Sequence, residues 1–251
     1  MRKAFKKTAL YHHLEWSPLH RLFISINNSA YDAAQNTEME FYRQFLRPKA
    51  LVFDIGANNG SKSEVFLRLG ARVVAVEPDS RCCQLLRNRF VFQRRFGLVP
   101  NAAGRTSGKL ELFVDKPGSA YNTFSPKWRD LTHSRSCASA YVDVTTVDVM
   151  ISDHGLPDFL KIDVEGFEYD VLLGLTMAVP IVSLEANLPT FREEALHCLE
   201  RLFYLDANYR FHICENLSWN WRDTAWMTAA EAKRVVSERG EYCEIFAAIG
   251  V

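Results

Sequence analysis

The chain has 251 residues, of which 48% are hydrophobic and 24% charged, so it has the composition of an ordinary globular protein and can bury a sizeable core. Thirty basic and thirty acidic side chains cancel, which leaves no overall field to gather nucleic acid or anionic lipid and favours a small or neutral substrate. No apolar run approaches the length of a membrane span.

Residues 1–48 are predicted to form an N-terminal helical extension, and residues 49–251 a single domain. The basic start of the chain lacks the apolar stretch of a secretory signal, because polar residues interrupt it. Thr37 and Glu40 have the spacing of a capping box, which predicts a helix over MEFYRQFL that ends before Pro48.

The segment LVFDIGANNG predicts a buried strand over residues 51–55, then a turn and the start of a helix. Gly56 and Gly60 let the backbone approach a ligand where a Cβ atom would collide. Ser61 and Glu64 have the spacing of a capping box for the helix that follows. The strand, the turn and the start of the helix together form one half of a predicted nucleoside-binding site, a corner whose other half follows the next strand.

The next strand, RVVAVEP, ends in Glu77 and supplies the other half of this corner. A carboxylate at this place accepts hydrogen bonds from the two hydroxyls of a ribose. Dinucleotide enzymes place three glycines, G-x-G-x-x-G, around a pyrophosphate, whereas this turn has two, spaced G-x-x-x-G. Asp54, just before the turn, suits the ammonium of an amino-acid moiety. The pattern therefore favours S-adenosylmethionine as cofactor, with an NAD-dependent oxidoreductase as the alternative.

Strands and helices alternate along the chain, which predicts an α/β fold with a mostly parallel sheet and helices on both faces. After a third strand that ends near Asn101, the segments KLELFV and YVDVTTVDVM alternate apolar and polar residues and predict a β insertion. The polar loop between them, within residues 115–140, is expected on the substrate side. The parallel pattern resumes with a strand over Phe159–Asp163, and the last strand is predicted at EIFAAIGV.

Polar side chains follow five of the predicted strands. Because ligands of parallel sheets gather at the carboxyl ends of the strands, we expect these side chains to face one crevice. They are Asp54, Glu77, Asn101, Asp163 with Glu165, and Glu185 with Asn187.

The strings FDIGANNG, VEP, TTVD and KIDVEGFE, in this order and spacing, resemble the FkbM family of class I S-adenosylmethionine-dependent methyltransferases over residues 51–174. The resemblance implies a Rossmann-like methyltransferase fold and methyl transfer to a hydroxyl oxygen on a sugar, glycan, polyketide or other secondary metabolite. It assigns the methionine part of the cofactor to Asp54, Gly56, Asn58 and Gly60, the ribose to Glu77, the adenine to the turn at Asn101, and the surroundings of the sulfonium to Asp163.

For this reaction an alcohol must lose its proton as its oxygen attacks the methyl group, so a positioned base is needed. Asp163 and Glu165 are the first candidates, and Glu185 is the next. A divalent metal held by the oxygen ligands of Asp163, Glu185 and Asn187 could instead lower the pKa of the alcohol. A methyltransferase fold that has lost catalysis and serves as a binding module is the non-enzymatic alternative.

Aromatic residues near the C-terminus have two interpretations: they stack on a sugar, or they fasten the C-terminal segment to the core. They are Trp219, Trp221 and Trp226, with Asn216 and Asn220 beside them.

A local cluster of basic residues bears on whether the protein has a nucleic-acid partner. The cluster is expected to be a solvated surface, so no nucleic-acid partner is predicted. It consists of Arg87, Arg89, Arg94 and Arg95.

The six cysteines show no C-x-x-C spacing, which argues against a zinc site or a disulfide framework and predicts a reducing, cytoplasmic setting. Cys214 and Cys243 are expected to fill strands as small hydrophobic residues. The oligomeric state is left open.

Overall fold

The computed structural model describes residues 29–132, 138–215, 219–222 and 225–251. Residues 1–28 of the predicted extension, together with Cys137 and Asn216, lie outside these ranges.

Helices and strands are numbered separately in chain order. The helices are α1 (Ser29–Tyr42), α2 (Ser61–Arg68), α3 (Ser80–Arg89), α4 (Pro126–Thr132), α5 (Val147–His154), α6 (Glu168–Leu173), α7 (Arg192–Leu205) and α8 (Ala229–Glu238). The strands are β1 (Leu51–Ile55), β2 (Arg72–Val76), β3 (Phe96–Val99), β4 (Ala102–Ala103), β5 (Gly108–Val114), β6 (Ala138–Thr145), β7 (Phe159–Ile162), β8 (Ile181–Ala186), β9 (Arg210–Glu215) and β10 (Cys243–Ala248).

Seven strands form one sheet in the order β3-β2-β1-β7-β8-β10-β9. The strands from β3 to β8 in this order pair in parallel, and β10 runs antiparallel to both of its neighbours. The carboxyl ends of β1, β2, β7 and β8 therefore share one edge. The predicted Rossmann-like α/β arrangement is confirmed.

Helices cover both faces of this sheet, so every side chain of β1 is buried. Leu51, Phe53 and Ile55 lie in a core that includes residues of α5, α6, α7 and α8. Val52 lies in a second core with residues of α1, α2 and α3. Because successive side chains of a strand point to opposite faces, one apolar run supplies both cores.

The predicted β insertion follows β3. Strands β5 and β6 pair antiparallel from Gly108 opposite Val144 to Val114 opposite Ala138, and β4 pairs in parallel with β6. The prediction extended the second strand too far, because the segment VDVM belongs to α5. The side chain of Thr146 accepts a hydrogen bond from the backbone of Val149 and caps this helix.

Both predicted capping boxes are wrong. Thr37 lies inside α1, where its hydroxyl donates to the carbonyl oxygen of Ala33 at 3.2 Å. The residue before α2 is Gly60, which offers no side chain for capping, and Glu64 forms an ion pair with Arg89.

A capping box does occur at Thr228 and Glu231, ahead of α8. Sequence analysis did not predict this helix, although the string TAAE has the capping-box spacing. The helix is amphipathic and buries Ala232 and Val236.

No helix in the described ranges combines the length and the apolar character needed to cross a membrane. The five described cysteines, Cys82, Cys83, Cys198, Cys214 and Cys243, are free and buried. Cys214 and Cys243 lie in β9 and β10, as predicted.

Candidate active site at the carboxyl edge of the sheet

A cavity of about 290 Å³ opens at the carboxyl ends of β1, β2, β7 and β8, beneath the loop that joins β5 to α4. Seven of the predicted site residues line it: Gly56, Asn58, Glu77, Asn101, Asp163, Glu165 and Glu185. Three others do not: Asp54, Gly60 and Asn187. The loop contributes Ser119, Ala120, Asn122 and Phe124, so this part of the predicted substrate loop lies over the cavity.

The two glycines of the first turn are needed for a reason other than the predicted one. A Cβ atom on Gly56 would lie 1.7 Å from the carbonyl oxygen of Asp163, and one on Gly60 would lie 2.6 Å from the ring of Phe90. Both glycines also have positive φ angles, 79° and 80°. They therefore allow segments of the protein itself to approach, and only Gly56 also faces the cavity.

Glu77 ties the turn after β1 to the segment after β2. Its Oε2 accepts from the backbone N–H of Asn58 and its Oε1 from that of Asp79, each at 2.8 Å. Burial raises the pKa of Glu77 to about 7, although the two backbone hydrogen bonds favour the ionised form. Each carboxylate oxygen retains a lone pair for a ligand hydroxyl.

Asp79, which sequence analysis missed, anchors the loop over the cavity. Its Oδ1 accepts from two backbone N–H groups and caps α3. Its Oδ2 accepts from the backbone N–H of Gly118 at 3.0 Å and from the side-chain amide of Asn122 at 2.7 Å. The string DSRC could have indicated the helix cap, but not the loop contact, because Asn122 lies 43 residues away.

Lys161 is the second important residue that sequence analysis missed. It lies in β7 with its ammonium buried, 2.9 Å from Asp163 Oδ2 and 3.5 Å from Asp54 Oδ1. Burial disfavours its charge, but the two carboxylates outweigh burial and hold the pKa of Lys161 above the ordinary lysine value. A lysine in the middle of the apolar strand FLKI was the available signal.

Asp54 belongs to this buried ion cluster rather than to the cavity wall. Its side chain has no exposed surface, and its Oδ2 accepts from the hydroxyl of Ser63 at 2.5 Å. Asp54 was predicted to contact a ligand ammonium directly, but in this geometry its side chain does not line the cavity. Asp54 instead acts on the site through Lys161.

The carboxylates of Asp163, Glu165 and Glu185 offer oxygen atoms within 4.8 Å of one another. Burial and the neighbouring Asp163 raise the pKa of Glu165 to about 8, and the same two causes raise that of Glu185 well above its ordinary value. Burial acts against the charge of Asp163 as well, but Lys161 and hydrogen bonds outweigh it and lower the pKa of Asp163. The surroundings therefore favour the protonated forms of Glu165 and Glu185 and the ionised form of Asp163.

The turn after β7 presents Glu165 to the cavity. Glu165 has a left-handed backbone, with φ of 54°, and its carbonyl oxygen accepts from the hydroxyl of Thr123 at 2.8 Å. Glu168 Oε1 accepts from the backbone N–H groups of Val164 and Gly166, which closes the turn. The motif KIDVEGFE thus encodes both the buried lysine and a fixed loop that carries a carboxyl group.

Four carboxyl groups line the cavity, whereas none of its described lining residues is a lysine, arginine or histidine. A pyrophosphate would therefore meet no cation at this wall, which argues against NAD. A ligand with a sulfonium and an ammonium would meet carboxylates. The apolar residues Val76, Ala102, Leu112 and Phe124 also line the cavity and suit a flat purine ring.

The oxygen cluster that could hold a metal differs from the predicted one. Asp163 and Glu185 lie together with Glu165, whereas the side-chain amide of Asn187 donates to Glu185 at 3.3 Å. Lys161 already supplies a positive charge to Asp163. A divalent ion would therefore compete with this ammonium.

The aromatic residues near the C-terminus fasten that segment to α1. Trp219, Trp221 and Trp226 pack against the second core, and Trp221 Nε1 donates to Gln44 Oε1 at 3.3 Å. The ring of Trp221 lies 4.8 Å from that of Phe41, between centroids. Since none of these residues lines the cavity, the packing interpretation accounts for them.

Comparison with known proteins agrees with the resemblance seen in the motifs. Residues 54–211 match the family described as "Methyltransferase FkbM domain". No curated protein sequence matches the chain.

The chain is similar to several solved methyltransferase structures at low identity. A precorrin-6y C5,15-methyltransferase from Geobacter metallireducens has 14% identity and a TM-score of 0.44, with 84% of this chain and 87% of that chain covered. A TehB-like SAM-dependent methyltransferase from Corynebacterium glutamicum has 11% identity and a TM-score of 0.47, with 93% and 100% covered. An rRNA methylase from Streptococcus thermophilus has 10% identity and a TM-score of 0.41, with 84% and 93% covered.

Proposed function

Because the chain belongs to the FkbM family of S-adenosylmethionine-dependent methyltransferases, we propose that it methylates a hydroxyl oxygen of a sugar, glycan or other hydroxylated metabolite. The observation that supports this acceptor class is the cluster of Asp163, Glu165 and Glu185 on the cavity wall. An alcohol is a poor nucleophile until its proton is removed, and a carboxylate with a raised pKa suits this task.

The cavity residues fit the cofactor by the chemistry of their side chains. Glu77 holds the ribose hydroxyls, and the apolar wall around Ala102 and Leu112 receives the adenine next to Asn101. The turn at Gly56 and Asn58 receives the methionine part. When bound, S-adenosylmethionine would supply a methyl group on a positively charged sulfur, and the carboxylates of this wall would favour binding of that charge.

Glu165 is the proposed base, and the other two carboxyl groups have supporting roles. Asp163 stays ionised beside Lys161 and stabilises positive charge. Glu185 shares a hydrogen bond with Asp163, and burial favours its protonated form. Burial and Asp163 raise the pKa of Glu165 to about 8, and Glu165 takes up the proton of the acceptor hydroxyl.

The cofactor and acceptor are tested in two steps with the purified full chain. Calorimetric titration is expected to show binding of S-adenosylhomocysteine and none of NAD. Transfer of labelled methyl from S-adenosylmethionine is then measured on panels of glycans, hydroxylated metabolites, amines and RNA, with and without EDTA. Label on the hydroxyl panels, insensitive to EDTA, supports the proposal.

Other outcomes would point to other functions. Label on amines or RNA would overturn the acceptor class while leaving the cofactor assignment intact. Loss of activity in EDTA would favour a metal at the oxygen cluster. Binding of NAD would favour an oxidoreductase, and binding of neither ligand would favour a binding module that has lost catalysis.

Replacing Glu77 with alanine is expected to weaken binding of S-adenosylhomocysteine by about 2 kcal/mol or more, close to 30-fold, because a charged hydrogen-bonding partner of the ribose is lost. Titration calorimetry measures this change. Glu77→Gln keeps the shape and separates the charge from packing. Glu193→Ala, an exposed position on α7, is the matched control. An affinity unchanged in Glu77→Ala would remove Glu77 from the cofactor site.

A further inference from the structure

The edge of the sheet opposite the cavity carries an exposed apolar tip surrounded by arginines. Helix α3 is capped by Asp79 at the carboxyl edge, and its ten residues span about 15 Å toward the amino edge. The turn after α3 leads into β3, and the backbone N–H of Val73 donates to the carbonyl oxygen of Arg95 at 2.8 Å. The end of this turn, at Arg95, therefore lies where the strands begin. Its start lies nearer the turn after β1, because Arg89 donates to the carbonyl oxygen of Asn59 at 2.6 Å. We call the group Arg68, Arg87, Val91, Phe92, Arg94 and Arg95 the Phe92 surface.

The tip of the Phe92 surface is apolar and open. Phe92 is 82% exposed and Val91 is 59% exposed, and they are adjacent in the turn. Behind them lies a groove of about 440 Å³, lined by Leu67, Phe90 and Phe92, by three arginines, and by Gln93 and Glu64, the last of which is paired with Arg89. Two adjacent apolar side chains with this exposure lose contact with water only if another molecule covers them.

The arginines of the Phe92 surface are largely available for an anionic partner. All four are exposed, and no described acidic side chain forms an ion pair with them. Among the described residues, the hydrogen bonds of Arg68 and Arg95 go to uncharged groups, Asn36 for the first and backbone carbonyls for the second. Arg89 is different, because it is buried and paired with Glu64, so the predicted solvated cluster does not include it.

Charge is distributed unevenly although the whole chain is neutral. From Ser80 to Leu110 the sequence has no aspartate or glutamate. The cavity wall at the other edge of the sheet carries four carboxyl groups. The zero net charge therefore conceals an acidic edge at the cavity and a basic edge at the Phe92 surface.

We propose that the Phe92 surface docks the protein on an anionic lipid bilayer. Val91 and Phe92 enter the headgroup region, and the four arginines contact lipid phosphates. An apolar tip within a ring of basic side chains is the combination that interfacial membrane binding requires. The cavity and the groove behind the Phe92 surface share no lining residue, so docking in this way leaves the cavity open to an acceptor from the water.

The position and composition of the surface disfavour other occupants. A nucleic acid bound there would lie at the wrong edge of the sheet to be methylated. A second copy of the chain in a two-fold dimer would bring the arginines of both copies together. Such a dimer does not use the apolar tip and the positive charge at the same time.

The test measures co-sedimentation of the full chain with vesicles of phosphatidylcholine alone and of phosphatidylcholine mixed with phosphatidylglycerol. Binding is expected only to the anionic vesicles, and it should weaken at high salt. Arg87→Ala combined with Arg94→Ala is expected to lower the partition coefficient about 25-fold, taking about five-fold per arginine. Phe92→Ser is expected to lower the partition coefficient at low and at high salt alike, because salt does not screen an apolar contact.

Tyr204→Ser is the matched control, because Tyr204 is an aromatic residue on α7 with 79% exposure and an arginine beside its ring. It should bind vesicles as the wild type does, and every variant should bind S-adenosylhomocysteine as the wild type does. Equal sedimentation with both vesicle types, or no effect of the arginine and Phe92 variants, would overturn the proposal. So would RNA binding or dimerisation that depends on the same residues in the absence of vesicle binding.

Discussion

Replacing Glu165 with glutamine is expected to lower kcat by a factor of about 10²–10⁴ while leaving the affinity for S-adenosylhomocysteine nearly unchanged. Glutamine keeps the shape of the side chain and the positive-φ turn but cannot accept the proton of an acceptor hydroxyl. Single-turnover transfer of labelled methyl measures the chemical step, and calorimetry measures the affinity.

The pH profile separates a base from a residue that only shapes the cavity. A base must be ionised, so kcat/KM of the wild type should rise with pH and level off above about 8, the pKa to which burial and Asp163 raise Glu165. The Glu165→Gln variant should lose this rise and keep only residual activity. Glu185→Gln is the matched control, since Glu185 belongs to the same cluster. If the rise persists in Glu165→Gln and vanishes in Glu185→Gln, Glu185 is the base.

Replacing Lys161 with methionine is expected to reduce the free energy of unfolding by about 3–5 kcal/mol, because the buried Asp54 and the half-buried Asp163 lose their shared cation. Asp54 and Asp163 lie 3.5 and 2.9 Å from the ammonium, and Asp54 has no exposed surface on which to recover solvation. Methionine fills a similar volume, so most of the effect is electrostatic. Urea unfolding at neutral pH measures it.

The pH for this experiment follows from the direction of each shift. The raised pKa of Lys161 gives stability that is present below the ordinary lysine value and lost only as pH rises through the raised one. The lowered pKa of Asp163 gives stability that is present above the ordinary aspartate value and lost as pH falls through the lowered one. Both contributions are complete near pH 7.

Two further variants define the contribution of the buried cluster. Lys233→Met removes a partly exposed lysine paired with Glu200 and should cost less than about 1 kcal/mol. Adding Asp54→Asn to Lys161→Met should recover part of the loss, because one unpaired carboxylate disappears. An equal loss for Lys161→Met and Lys233→Met would contradict the role given to the buried lysine.

The first strand and its turn could be predicted because their signals are local. The apolar run before Gly56 is buried on both faces, and Glu77 ends the next strand, so the corner follows from residues close in sequence. Asp163, Glu165 and Glu185 could be placed at one edge because parallel strands align their carboxyl ends. The capping boxes failed for the same local reason, since short spacings such as that of Thr37 and Glu40 also occur inside helices.

What the sequence by itself determined is the alternation of strands and helices that builds the parallel part of the sheet, and the carboxyl groups at the cavity, since both depend on periodicity and on strand ends. Only the tertiary structure decided that Asp54 faces Lys161 rather than a ligand, because these residues are 107 positions apart and meet through the pairing of β1 with β7. The tertiary structure likewise decided which arginines are buried in ion pairs and which are exposed, because Arg89 and Arg94 belong to the same basic stretch of the sequence. Arg89 is buried and paired with Glu64, which offsets its charge, whereas Arg94 is exposed at the surface. Charge acts through space, so distance and burial, which the order of residues does not state, determine its effect.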